Sequence, residues 1–139
     1  MNLNPTLVRD VMTSEVRTLE RNATLRTADE VMRLGRIRHL PVVDEDGALV
    51  GIVSQRDLFH SGLLRALGYG VHAKEQALEL LVLKEAMKDE VITVSPDAPL
   101  GEAAKIMLER KLGCLVVVEG RKIVGILTES DFVKLKVTA

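Results

Sequence analysis

The chain has 139 residues, with 19 Lys and Arg against 20 Asp and Glu and a formal charge of −1, which leaves no basic footprint for a nucleic-acid duplex. An apolar share of 47% supports a globular core, but Phe59, Phe132 and Tyr69 are the only aromatics, so that core is expected to be aliphatic. No apolar run is long enough to span a bilayer and the N-terminus lacks an apolar leader core, so the reading is a cytoplasmic protein.

In chain order, a turn at Thr13-Ser14 precedes a brief strand, Val16 to Leu19. Leu25, Ala28, Val31 and Met32 then recur at helical spacing. "LPVVD" reads as a strand, Asp46-Gly47 as a hairpin turn and "ALVGIVS" as the return strand. A helix opens near Ser54 and runs through "DLFHSGLLRAL". Gly68 to Gly70 break the chain, and "HAKEQALELL" has the pattern of an amphipathic connector helix. The order then recurs. Val91 to Val94 is a strand and Pro99 to Arg110 a helix, with Pro99 in its first turn and Asp97 as the candidate cap. Strand Cys114 to Glu119, a turn at Gly120-Arg121, strand "KIVGILT" and a last helix from near Thr128 complete the chain.

The recurrence is an internal repeat. Met12/Met87, Glu15/Glu90, Val16/Val91, Thr18/Thr93, Leu25/Leu100, Ala28/Ala103, Met32/Met107 and Leu40/Leu115 are identical pairs in constant register. After the loss of one residue in a turn, Val50-Gly51-Ile52 matches Val124-Gly125-Ile126 and Asp57 matches Asp131. Each copy alone is too small for a sound core, so the two are expected to pack together about a pseudo-twofold axis. The boundaries expected are residues 1–62 for the first copy, 63–82 for a helical connector and 83–139 for the second. Met12, Met32, Met87 and Met107, at matching positions, read as core fillers.

Both return strands end in Gly-apolar-apolar-(Ser/Thr)-x-x-Asp: Gly51 to Asp57 and Gly125 to Asp131. At a strand-to-helix junction the hydroxyl and first backbone N–H groups suit a phosphate, and the acid one turn on suits the two hydroxyls of a ribose. Glycine upstream lets something approach the strand closely. The same pattern is also a capping box, in which the acid only folds back on the cap's own N–H. Its occurrence in both copies favours the ligand reading.

These phrases, with "VMTSEVRTL", "HLPVVDEDGALVGIVSQRDLF", "AMKDEVITV" and "CLVVVEGRKIVGILTESDF", make the chain resemble a tandem pair of cystathionine beta-synthase (CBS) domains over nearly its whole length. The resemblance implies an α/β (α+β) fold of two beta-alpha-beta-beta-alpha repeats with clefts between them. It implies adenosine ligands (AMP, ADP, ATP or S-adenosylmethionine) and a regulatory role without catalysis. Carried onto this chain, it makes Asp57 and Asp131 the ribose acids, with Ser54 and Thr128 beside them. The adenine wall would be Thr13, Arg17, Ile37, Arg38 and His39 from the first copy, and Lys88, Ile92, Leu112, Gly113 and Cys114 from the second. Each cleft would combine the wall of one copy with the Ser/Thr-x-x-Asp of the other. Arg38, His39 and Arg56 are the phosphate contacts expected; Ser130 in place of Arg56 makes the copies unequal.

His39, His60 and His72 lack metal-ligand spacing, and no P-loop or nucleophile elbow is present, so neither a metal nor an enzyme is expected. Cys114, in an apolar run, reads as a buried small hydrophobe. The reading is a sensor with no required cofactor, associating as a homodimer and signalling to a protein effector. The alternative is a structural dimerisation module whose Ser/Thr-x-x-Asp phrases are helix caps alone. The sequence leaves open which nucleotide binds and whether one or two sites fill.

Overall fold

The computed structural model describes residues 6–60, Glu79 and residues 81–138. The rest of the expected connector, including Gly68 to Gly70 and most of "HAKEQALELL", lies outside the described residues. The chain forms two compact units that do not follow the order of the copies: a middle unit, Arg17–Glu90, and a terminal unit of Met1–Val16 with Val91–Ala139. The opening segment of each copy therefore folds with the remainder of the other.

In the middle unit, β1 (Leu19–Glu20) lies parallel to β2 (His39–Val43), which is antiparallel to β3 (Leu49–Ser54). The crossover between β1 and β2 is α2 (Leu25–Gly35), as a parallel pair requires. Thr24 caps α2 by accepting from Thr27 N at 3.2 Å. Its buried face is Leu25, Ala28 and Met32, spaced three and four apart as an inward stripe needs. These side chains join Leu40, Val42, Val53, Leu58, Leu81 and Leu83 in one core. Leu83 belongs to a one-turn helix, Leu83–Ala86, whose segment is laced on by Leu83 N to Ala23 O at 2.8 Å and Lys84 N to Arg21 O at 2.9 Å.

The terminal unit repeats the pattern. Val94, Leu100, Ala103, Met107, Leu115, Val117 and Leu127 form its core with Val8, which sits in the one-turn helix α1 (Val8–Val11). Val8 N donates to Ala98 O and Arg9 N to Pro96 O, both at 2.9 Å, the same lacing in matched positions. Numbering Leu83–Ala86 as α3, the elements that follow are β4 (Thr93–Val94), α4 (Leu100–Arg110), β5 (Cys114–Glu119), β6 (Lys122–Thr128) and α5 (Glu129–Thr138). The sheet order is β4-β5-β6, matching β1-β2-β3.

Two local expectations are corrected. The first strand is Leu19–Glu20 rather than Val16 to Leu19, because only those two residues find ladder partners, Val42 and Val43. Asp97 does not cap α4: Pro99 is the cap residue and makes no side-chain bond, while the Asp97 carboxylate pairs with Arg9. α2 and α4 each end on a non-glycine residue in the left-handed region, Arg36 at φ 53 and Lys111 at φ 55. That conformation costs an L-residue about 1–2 kcal/mol and turns the chain into the segments that lead to β2 and β5.

Candidate functional site

Each Ser/Thr-x-x-Asp phrase straddles the end of a return strand and the first turn of the next helix. The glycine that opens each phrase leaves room for a neighbouring side chain. A Cβ on Gly51 would overlap Met87 Sδ and stand 3.0 Å from Lys88 O; one on Gly125 would overlap Met12 Sδ. What approaches these strands closely is thus a methionine from the exchanged segment. Lys88 pairs backbone to backbone with Ile52 in both directions at 2.9 Å, and Thr13 with Ile126 likewise at 2.9 Å.

This brings Lys88 to Asp57 and Thr13 to Asp131. In the middle unit, Asp57 Oδ2 accepts from Ser54 N at 2.9 Å, and Ser54 Oγ accepts from Asp57 N at 3.0 Å, a complete capping box. Asp57 Oδ1 faces Lys88 Nζ at 3.8 Å, an ion pair beyond hydrogen-bond length, with the lysine side chain 72% exposed. Gln55 N donates to Arg38 O at 2.8 Å, and His39 is the ladder partner of Ser54. Arg38, His39, Ser54, Arg56, Asp57 and Lys88 therefore share one edge of the unit.

In the terminal unit, Asp131 is buried, and three groups surround its carboxylate. Thr128 N donates to Oδ2 at 2.9 Å and Thr128 Oγ1 to the same oxygen at 3.3 Å. Thr13 Oγ1 donates to Oδ1 at 2.8 Å. Glu129 N reaches Gly113 O at 3.3 Å, and Cys114 is the ladder partner of Thr128. Burial pushes the Cys114 thiol up to about 12, so it stays protonated.

The remaining expected wall residues are described by the neighbours they pack on. Arg17 and Ile37 flank Gly35 at the end of α2. Ile37, Ile92 and Leu112 are partly buried against the cores of their units. Sequence reasoning treated Met12 and Met87 only as fillers and so missed that they set the approach of the exchanged segments. Their identity in both copies was the available signal.

Two edges, each with a carboxylate fixed at a strand-to-helix turn beside an exchanged segment, make the chain a duplicated α/β module. The chain belongs to the CBS domain family, whose model matches residues 8–63 and 83–137. It is 40% identical to a candidate acetoin utilization protein (AcuB) from Vibrio cholerae, with a TM-score of 0.84 over 97% of this chain and 93% of that one. The CBS domain pair of protein MJ0100, in complex with 5′-methylthioadenosine and S-adenosyl-L-methionine, is 29% identical, with a TM-score of 0.77 over 97% of this chain and 98% of that one. CBSX2 in complex with AMP is 27% identical, with a TM-score of 0.77 over 95% of this chain and 96% of that one. A homoserine O-acetyltransferase of Methanococcoides burtonii is 37% identical over 96% of this chain, but the chain spans only 25% of that protein's length. Among the described residues, no helix is long and apolar enough to cross a membrane, and no group of His, Cys, Asp and Glu is placed to hold a metal ion.

Proposed function

We propose that the chain is a non-catalytic regulatory module, cytoplasmic and homodimeric, which binds adenosine compounds at its Ser/Thr-x-x-Asp edges and reports their presence to a protein effector. AMP, ADP, ATP and S-adenosylmethionine are the ligands in view. The observation that carries the reading is the state of Asp57. Its capping bond holds the carboxylate in place through one oxygen and leaves the other directed at a solvated lysine. A pre-oriented acceptor beside cations suits a ribose diol carrying a phosphate, and bonds to a charged acceptor contribute about 1.5–3 kcal/mol each. Complexes of similar CBS pairs with AMP and with S-adenosyl-L-methionine support the same ligand class. Exposed Phe59, Val133 and Val137 support association between copies.

Binding energy becomes a signal only where the ligand favours one arrangement of the protein over another, and a partner that senses that arrangement completes the mechanism. Calorimetry with AMP, ATP and S-adenosylmethionine tests the binding. Asp57→Ala is expected to lower the affinity of its site by about tenfold to a hundredfold while the fold persists. Unchanged affinities in Asp57→Ala, Asp131→Ala and the double variant would refute the reading.

The capping bonds made by both acids favour a second reading, in which the phrases hold helix ends and nothing more. Under that reading no adenosine compound raises the melting temperature; under the first, the rise grows with ligand concentration.

A further inference from the structure

The two edges have one geometry but opposite charge. Lys88 stands where the terminal unit has Thr13: each makes the two-way backbone pairing with the return strand, and each reaches the acid. Arg38, whose carbonyl receives Gln55 N, corresponds to Gly113, whose carbonyl receives Glu129 N. Arg56 corresponds to Ser130, one residue before the acid. All three cations fall on the middle unit and all are exposed, while the terminal unit carries Thr13, Gly113 and Ser130 and gains an acid, Glu129, in place of Gln55. Asp89, opposite Ser14, returns one negative charge to the middle unit, and Glu15 and Glu90 cancel. The acids differ too. Asp131 has accepted three bonds from Thr13 and Thr128, whereas among the described residues Asp57 accepts one, from Ser54 N.

We propose that the two sites are divided by the charge of the ligand's 5′ tail: the middle unit takes an adenosine compound bearing phosphate, and the terminal unit takes one whose 5′ substituent bears no negative charge. This rests on the reading that Asp57 and Asp131 bind adenosine compounds. At the middle edge a phosphate gains Lys88, Arg56 and Arg38. At the terminal edge it meets Glu129 and no cation at the matched positions, while an uncharged tail suffers no repulsion. The carboxylate's remaining acceptor capacity, smaller at Asp131, makes the terminal site the weaker for the sugar.

The test isolates each site and compares AMP, adenosine and 5′-methylthioadenosine by calorimetry at about 50 mM and about 500 mM salt, where screening is weak and strong respectively. Asp131→Asn leaves the middle site. There AMP is expected to bind about tenfold or more tighter than adenosine, with the advantage shrinking at high salt. Asp57→Asn leaves the terminal site, where AMP is expected to bind no better than the two uncharged compounds. The Arg56→Ser/Lys88→Thr variant leaves both carboxylates and their capping bonds in place, so it reports even where an asparagine variant fails to fold. Its AMP-to-adenosine affinity ratio is expected to fall toward one. Equal AMP-to-adenosine ratios at both isolated sites, or an unchanged ratio in Arg56→Ser/Lys88→Thr, would overturn the division. A terminal site silent to all three compounds overturns the terminal assignment. Silence of the unmutated protein toward all three refutes the underlying reading, and the division with it.

Discussion

The two opening glycines make a prediction that separates two kinds of close contact. At Gly125 the three atoms nearest an added methyl group all belong to Met12, with Sδ overlapping, Cγ at 3.0 Å and Cε at 3.2 Å. Gly51→Ala meets Met87 in the same way but also meets Lys88 O at 3.0 Å, a backbone atom that accepts from Ile52 N at 2.9 Å. Overpacking of this kind costs about 1–3 kcal/mol, and a flexible methionine relieves more of it than a fixed carbonyl does. Gly125→Ala is therefore expected to destabilise by about 1 kcal/mol and Gly51→Ala by about 2 kcal/mol. Shortening the methionine splits them further. In a double-mutant cycle, Met12→Ala should recover nearly all of the Gly125→Ala cost, whereas Met87→Ala should recover only part of the Gly51→Ala cost, with coupling energies of about 0.5–3 kcal/mol. Denaturant unfolding followed by circular dichroism gives the four free energies of each cycle. Absent coupling in both cycles, or full recovery of Gly51→Ala by Met87→Ala, would refute the argument that these glycines admit the exchanged segments.

Other expectations follow from single contacts. Thr13→Val removes a donor from a buried carboxylate and should cost about 1.5–3 kcal/mol in denaturant unfolding. Ser54→Ala removes an N-cap acceptor and should cost about 0.5–2 kcal/mol by the same measurement. Lys111→Gly relieves a left-handed residue, partly offset by the entropy glycine loses on folding, and should raise stability by about 0.5–1 kcal/mol. Cys114 should resist a disulfide exchange reagent at pH 8 until the protein unfolds, since only the thiolate attacks. Because its folded value, about 12, lies above its ordinary 9.0, the stability it contributes is complete below 9.0 and is lost as the pH rises through about 12.

Much of the architecture is legible because it is written in hydrophobic period. Leu25, Ala28 and Met32 mark a buried helix face, and Cys114 to Glu119 is a strand with the bounds its apolar run suggests. The exchange of opening segments is not legible, because paired identities such as Met12 and Met87 read alike whichever copy each packs against. The one-turn helices Val8–Val11 and Leu83–Ala86 are too short to show a period, and lacing to distant backbone holds them. At the site, Asp57 and Asp131 are legible as a repeated acid, but their different surroundings depend on Lys88 and Thr13, which are remote in sequence.

The capping role and the proposed binding role of these acids do not exclude one another, because the cap bond leaves the other oxygen for a ligand. A carboxylate has about four acceptor positions, and the cap bond to Ser54 N or Thr128 N takes one of them on Oδ2. That bond fixes the side chain's orientation in advance, so a ligand meeting Oδ1 does not have to order it, which lowers the entropic cost of association. Oδ1 is where the units part. At Asp57 it faces a lysine that stays solvated and can turn to a phosphate without unpairing a buried group. At Asp131 it holds the Thr13 hydroxyl within a buried site, so a ribose must share that oxygen with Thr13 or displace it. Thr13→Ala, by vacating Oδ1, is therefore expected to lower stability and at the same time strengthen the binding of an uncharged adenosine compound at the terminal edge. Calorimetry of adenosine on Thr13→Ala in the Asp57→Asn background measures this, and weaker binding there would mean that the hydroxyl is itself a ligand contact.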